Sequence, residues 1–183
     1  MRIGVFGGSF DPIHHGHLIT ATALAEQLSL DEVRLVVARA QPLKRGAHGA
    51  PAEDRAAMAA LAVQGQSRLV VDRIELGRDG PSYTVDTLRA FRRDEPGAEL
   101  VLLIGADAAR ELPRWHEAGA IPGLARVETF AREGQGGGGH RVPRVDISST
   151  EVRERVRAGR PIRYWVPDAV AQYIAAHGLY GTE

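Results

Sequence analysis

The sequence predicts an α/β fold: an open parallel sheet covered by helices on both faces. Two observations carry this. Short apolar runs alternate along the chain with segments of helical period, the pattern of right-handed β–α–β crossovers. The runs are also nearly continuous in Val, Leu, Ile and Phe instead of alternating with polar residues, which fits strands buried on both faces. A length of 183 residues fits one domain, 1–183, large enough to bury a core without disulfides or metal staples.

The elements follow in order. Residues 2–6 (RIGVF) are a buried strand ending in glycines. From Gly16 to Leu28 the period changes: Leu18, Ala21, Thr22, Ala25 and Leu28 fall at helical spacing. Residues 33–38 (VRLVVA) form a second strand, and 40–51, with two prolines and two glycines, a loop. An alanine-rich helix covers 52–63, and 68–71 and 73–76 are strand candidates. Helix 84–93 is stopped by Pro96 and Gly97, and Thr84 is read as its N-cap. LVLLIG (100–105), the strongest apolar run, is a central strand, and RVETFA (126–131) another. GQGGGG (134–139) reads as a flexible connector. A short strand at 142–146 and a helix at 149–158 follow, and a last helix from Pro167 places Val170, Tyr173, Ile174 and His177 on one face. No internal repeat or domain boundary interrupts this series.

Composition excludes several classes of function. There is no cysteine, so no disulfide framework, thiolate metal site or cysteine nucleophile. Basic and acidic residues balance at 23 each, so nothing general argues for nucleic acid or a membrane surface. No apolar run reaches the length of a membrane span, and the glycine-broken N-terminus is no signal peptide. A soluble cytoplasmic protein is expected. No exposed apolar stripe declares an interface, so monomer and homo-oligomer both stay open.

The chemistry concentrates in GGSFDPIHHGHL, residues 7–18. In an open α/β sheet, ligands bind beyond the carboxyl ends of the strands, and this string begins where the first strand ends. Gly7 and Gly8 permit a tight turn and close approach to a ligand. The helix that starts near Gly16 aims its free N–H groups and positive dipole end at the same place, and His14 and His17 flank that start. Glycines, a helix N-terminus and two imidazoles together suit a polyphosphate, with donors aimed at charge that develops in a transition state. A metal site would need a third ligand, for which only Asp11 is near. Neither a Walker loop nor GxGxxG is present.

This string resembles the HxGH signature of the nucleotidylyltransferase superfamily, with His14, Gly16 and His17 as the matching residues. ISSTEVR (147–153) resembles its second signature, ISSTxxR. PSYTVDTL (81–88), IGAD followed by Trp115, and VPDAVAQYIAAHGLY (166–180) narrow the resemblance to the bacterial nicotinate-nucleotide adenylyltransferases, over nearly the whole chain. The resemblance implies a Rossmann-like fold. It also implies a reaction in which the phosphate of nicotinate mononucleotide attacks the α-phosphorus of ATP, giving the dinucleotide and pyrophosphate. Magnesium would ride on the ATP phosphates and water, with no protein metal ligand.

The resemblance also assigns roles. His14, His17, Lys44 and Arg153 would be catalytic. ATP would be held by Gly7, Gly8, Ser9, Phe10, His14, Gly16, His17, Gly105, Asp107, Ile147, Ser148, Ser149 and Arg153. Nicotinate mononucleotide would be held by Lys44, Ser82, Tyr83, Thr84 and Trp115, the tryptophan stacking on the cationic pyridine face. Read without the family, Ser148 and Glu151 have the spacing of a capping box, and a capped helix start is also a phosphate site. Trp165 is left structural. Phosphopantetheine adenylyltransferase shares both signatures but lacks the SYT and GAD-plus-tryptophan strings. Nicotinamide mononucleotide as acceptor, and a non-catalytic nucleotide sensor on the same fold, are the other readings.

Lys44 is the single lysine beside 22 arginines. It stands in QPLK, where the resembled family typically reads PPHK. A flexible point charge follows phosphate oxygens through a reaction, whereas a guanidinium is a rigid fork. Lys44→Arg should therefore lose turnover well beyond any change in thermal midpoint; a fully active, equally stable variant would refute the role.

Overall fold

A computed structural model describes residues 1–40, 49–132, 134 and 139–181. Lys44 and most of the glycine-rich segment lie outside the described residues. The strands are β1 (Arg2–Gly8), β2 (Glu32–Val37), β3 (Leu69–Asp72), β4 (Glu99–Gly105), β5 (Arg126–Arg132) and β6 (His140–Val142). They form one sheet in the order β3-β2-β1-β4-β5-β6, with every pairing parallel. The order reverses between β1 and β4, and a crevice opens at such a point beyond the strand ends.

The helices are α1 (His15–Gln27), α2 (Ala52–Ala62), α3 (Thr84–Asp94), α4 (Ala106–Glu111), α5 (Ile121–Leu124), α6 (Ser149–Arg157) and α7 (Asp168–Ala176). Two apolar cores explain the continuous runs. Ile3, Val5, Leu100, Leu102 and Ile104 face Val85, Leu88, Phe91 and Ile121 on one side. Phe6, Val33, Leu35, Val101 and Leu103 face Leu24, Met58, Val152, Val170 and Ile174 on the other. Gly4 falls on this second face with no room for a side chain: a Cβ would sit 2.7 Å from Leu30 Cδ1. Among the described residues no helix is long and apolar enough to cross a membrane.

Three expectations are corrected, and one span carried no sequence reading. Residues 73–76 form a turn, pinned by Asp72 accepting from the Ile74 N–H at 2.8 Å. The last strand is His140–Val142 and has ended before most of 142–146. Tyr83, not Thr84, occupies the N-cap of α3. Finally, α4, α5 and two 3₁₀ turns (Leu112–Arg114 and Ala118–Ala120) fill the span between β4 and β5; each is too short to show a helical period.

One buried cation ties the first loop to the sheet. Arg55 of α2 is 1% exposed. Its guanidinium donates to the carbonyls of Ser9 (2.6 Å), Ala38 (2.7 Å), Arg39 (3.2 Å) and Ala50 (3.2 Å). Burial pulls its pKa down, with the Asp11 carboxylate opposing that shift, and an arginine stays charged throughout. Arg55→Met would strand those carbonyls. Urea unfolding should register a loss on the order of 3 kcal/mol; a change within about 1 kcal/mol would remove Arg55 from its keystone role.

Candidate active site

The turn after β1 is shaped by close packing. A Cβ on Gly8 would lie 2.8 Å from the Phe10 ring, so glycine lets that ring close over the strand end. Phe10 adopts φ +47°, a left-handed conformation rare for a large side chain. Its ring packs edge-on to Phe6 (6.0 Å, 85°) and to His17 (5.1 Å, 80°).

The histidines stand at the start of α1. His14 is its N-cap, and the two rings stack at 3.7 Å and 25°. The His14 backbone N–H donates to His17 Nδ1 at 3.2 Å. That bond selects a neutral tautomer of His17 carrying its proton on Nε2. Gly16 gives the stacked rings room: a Cβ would stand 3.0 Å from the His14 ring. His14 is 3% exposed, and burial first, then Arg132 and His15, lowers its pKa from 6.5 to about 4. His14 is therefore a neutral imidazole at pH 7. Among the described residues, His14 Nδ1 and Ser9 Oγ are the buried side-chain atoms without a hydrogen-bond partner. Both sit on this turn.

The second signature lies against the first. Ser148 caps α6 by accepting from the Glu151 N–H at 3.1 Å. Ser149 Oγ donates to the Pro12 carbonyl at 2.9 Å, and the Ile147 carbonyl is 3.8 Å from where a Gly16 Cβ would stand. Arg153 donates to the Asp11 carbonyl at 2.6 Å and to Thr150 Oγ1 at 3.3 Å. Distant stretches of chain thus meet around the N-termini of α1 and α6.

A cavity of about 710 Å³ opens beside this cluster. Gly7 and Gly8 from β1, Gly105 from β4 and Asp107 from α4 line it, as do Ser82, Tyr83, Thr84 and Trp115. His14, His17 and Arg153 lie outside that lining, across the Gly7–Phe10 turn. Ser82 Oγ accepts from the Arg39 N–H at 3.0 Å, which fastens this turn to the end of β2. Tyr83 stacks on His116 at 4.2 Å and 27°. Asp107 is exposed and ion-paired with Arg110. Trp165 packs on the core outside the cavity, and its carbonyl accepts from the His15 N–H at 3.1 Å.

Glu75 and Arg55 were not singled out from sequence, and Asp11 was named there only as a candidate metal ligand. Glu75, buried in the cavity wall, accepts from Thr87 Oγ1 at 2.6 Å. Reading 73–76 as a strand obscured it. Asp11 accepts from the N–H groups of Gly49 (2.7 Å) and Ala50 (3.0 Å) and from the Tyr180 hydroxyl (2.8 Å). Arg55 carried a signal: it shares a helical face with Met58 and Ala59, where an apolar residue belongs.

The chain was compared with known proteins. The cytidylyltransferase-like family model matches residues 5–155. The chain is 50% identical to a probable nicotinate-nucleotide adenylyltransferase of Thermus thermophilus, over 98% of this chain and all of that protein. It is 46% identical to one of Roseiflexus sp., covering 97% of each. In structure it resembles the Plasmodium falciparum nicotinic acid mononucleotide adenylyltransferase complexed with NaAD. That match has a TM-score of 0.82 at 18% identity and covers 98% of this chain and 97% of the other.

The neutral His14 has a consequence for stability. Its folded pKa, about 4, lies below the unfolded value of 6.5. Between these values the unfolded chain takes up a proton that the folded state refuses. The contribution is complete above pH 6.5 and is lost as pH falls toward 4, removing on the order of 3 kcal/mol. Urea unfolding from pH 7 to 4 should show this slope in the wild type and lack it in His14→Gln; identical slopes would mean that His14 protonates as readily folded as unfolded.

Proposed function

Because the chain belongs to the cytidylyltransferase-like family, among the nicotinate-nucleotide adenylyltransferases, we propose that it transfers the adenylyl group of ATP to nicotinate mononucleotide, giving nicotinate adenine dinucleotide and pyrophosphate in NAD biosynthesis. One juxtaposition in the structure supports this reading best. A large cavity walled by Tyr83, Thr84 and Trp115 adjoins a turn built for phosphate, at the point where the sheet order reverses.

The mechanism follows from that placement. The cavity takes the pyridine end of the mononucleotide, with Trp115 against the ring face and Thr84 with the free N–H groups of the α3 start toward its carboxylate. The mononucleotide phosphate then points to the Gly7–Phe10 turn. One of its oxygens forms a bond to the ATP α-phosphorus as the bond to the β-phosphate bridging oxygen breaks, and pyrophosphate leaves. The attacking oxygen is already anionic, so no general base is needed. The work is positioning and charge stabilisation.

His17 suits the α-phosphate. Its tautomer presents an Nε2 proton, and the Phe10 edge and the His14 stack hold its ring. His14 is a neutral donor to the phosphates. Arg153 and the α6 N-terminus receive the departing pyrophosphate, with Lys44 kept as a phosphate contact on sequence grounds. Asp107, at the cavity edge, would accept from the ATP ribose hydroxyls.

The residues present do not form a resident magnesium site. Among the described residues no three His, Asp or Glu side chains converge. Asp11, the carboxylate nearest the turn, accepts from three protein donors. Magnesium would enter with ATP, as the resemblance implies, and would neutralise phosphate charge.

Initial rates with ATP plus nicotinate mononucleotide, nicotinamide mononucleotide or phosphopantetheine test the assignment, and pyrophosphate should form fastest with the first. Dominance of phosphopantetheine would overturn it. His17→Ala should lower kcat by roughly 10²–10³, the scale for one transition-state donor; near-normal turnover would remove His17 from the chemistry.

A further inference from the structure

We propose that Tyr180, in the last residues of the chain, is a positioning residue for adenylyl transfer that acts with Asp11 and Gly49 to hold Arg153. The proposal rests on the reading of Arg153 as a phosphate contact. It concerns a residue that neither signature contains.

Tyr180 is 6% exposed, and its hydroxyl donates to Asp11 Oδ1 at 2.8 Å. Burial, and next the Asp11 charge, push its phenol pKa well above the usual range, so the donor proton stays in place. Asp11 is 5% exposed and also accepts from the N–H groups of Gly49 and Ala50. Its carbonyl takes the 2.6 Å bond from Arg153 Nη1, while its Oδ2 lies 3.8 Å from the same nitrogen. Arg153 and Tyr180 meet on one bare glycine. A Cβ on Gly49 would stand 2.7 Å from Arg153 Cδ and 2.9 Å from Tyr180 Cε1. The arginine stem, the tyrosine ring and the glycine form a collar, with the Asp11 carboxylate behind it.

The competition for Asp11 gives the collar its purpose. A carboxylate this close to a guanidinium would capture it in a full ion pair and withdraw it from substrate. Gly49, Ala50 and Tyr180 donate to the Asp11 oxygens, so the short bond of Arg153 goes to the carbonyl, its Nη1 stays 3.8 Å from Oδ2, and its charge remains available to an anion. Removing the Tyr180 hydroxyl takes a donor from a buried carboxylate; Arg55, the other cation close to Asp11, is committed to four carbonyls, so Arg153 Nη1, 3.8 Å from Oδ2, is drawn toward it.

The backbone agrees. Tyr180 sits at φ +64° and Phe10, beside Asp11, at φ +47°. Left-handed conformations of large side chains persist where surrounding contacts over-determine them, and they cluster at functional sites.

The test is a double-mutant cycle on the full chain, with initial rates under varied ATP and a thermal midpoint for each variant. Tyr180→Phe keeps the ring and removes only the donor. It should lower kcat/KM for ATP about tenfold, the scale of one charge-assisted hydrogen bond. In an Arg153→Ala background the same change should cost nothing further, because its effect passes through Arg153. Losses that multiply, or a wild-type rate in Tyr180→Phe, overturn the proposal and leave the role of Arg153 standing. A wild-type rate in Arg153→Ala overturns the phosphate reading itself. Should Tyr180→Phe unfold, Gly49→Ala is the second variant: its Cβ presses on both the arginine stem and the tyrosine ring, and its loss of kcat/KM should likewise vanish in the Arg153→Ala background.

Discussion

The Arg55 guanidinium holds the functional end of this molecule together. Its donors reach carbonyls at the turn after β1, at the end of β2 and at the entry to α2. None of those carbonyls belongs to a regular element that could pair it, so without Arg55 three loop ends would each bury an unpaired acceptor. Asp11 complements it from the same turn, accepting N–H groups at Gly49 and Ala50. One buried cation takes up carbonyls, one buried anion takes up amides, and the turn between β1 and α1 is fixed from both sides. The stacked histidines and the Phe10 ring depend on that turn.

This arrangement reconciles a neutral chain with a ligand of high negative charge. The protein carries equal numbers of acidic and basic residues, and much of its arginine is consumed within the structure. Arg34 pairs with Glu32 and Glu95, Arg2 with Glu99, and Arg89 with Glu117. In the proposed reading, attraction for phosphate is gathered locally instead, from the N-termini of α1 and α6 and from Arg153. His14 contributes no charge at neutral pH, because burial outweighs any gain from protonation. The proposed phosphate site relies on oriented dipoles and N–H donors more than on net charge, which suits a mechanism that stabilises a transition state without a covalent intermediate.

Much of the fold was legible because its signals are local. The run at 100–105 is a strand for the reason it reads as one: both faces are buried, so no polar residue interrupts it. Helix boundaries at Pro51 and Pro167 followed from proline chemistry. The failures share a cause. In 73–76 the pattern Arg-Ile-Glu-Leu alternates like an edge strand, yet Asp72 bonds the Ile74 amide and turns the chain. Glu75 then buries its carboxylate against Thr87. The short helices between β4 and β5 hold too few residues to display a period.

By itself the sequence determined the parallel α/β class and its main strands and helices, the turn that carries GGSFDPIHHGHL and the family to which the chain belongs. Those depend on neighbours along the chain: glycine and proline geometry, apolar period, and a string too long to arise by accident. The tertiary structure alone decided which polar groups the fold uses up. Nothing local marks Asp11 as the acceptor for Tyr180, 169 residues away, or Arg55 as a cation that serves three loops. Such pairings are set by desolvation: a buried charge must find partners wherever the packed chain brings them, and sequence spacing does not record that distance.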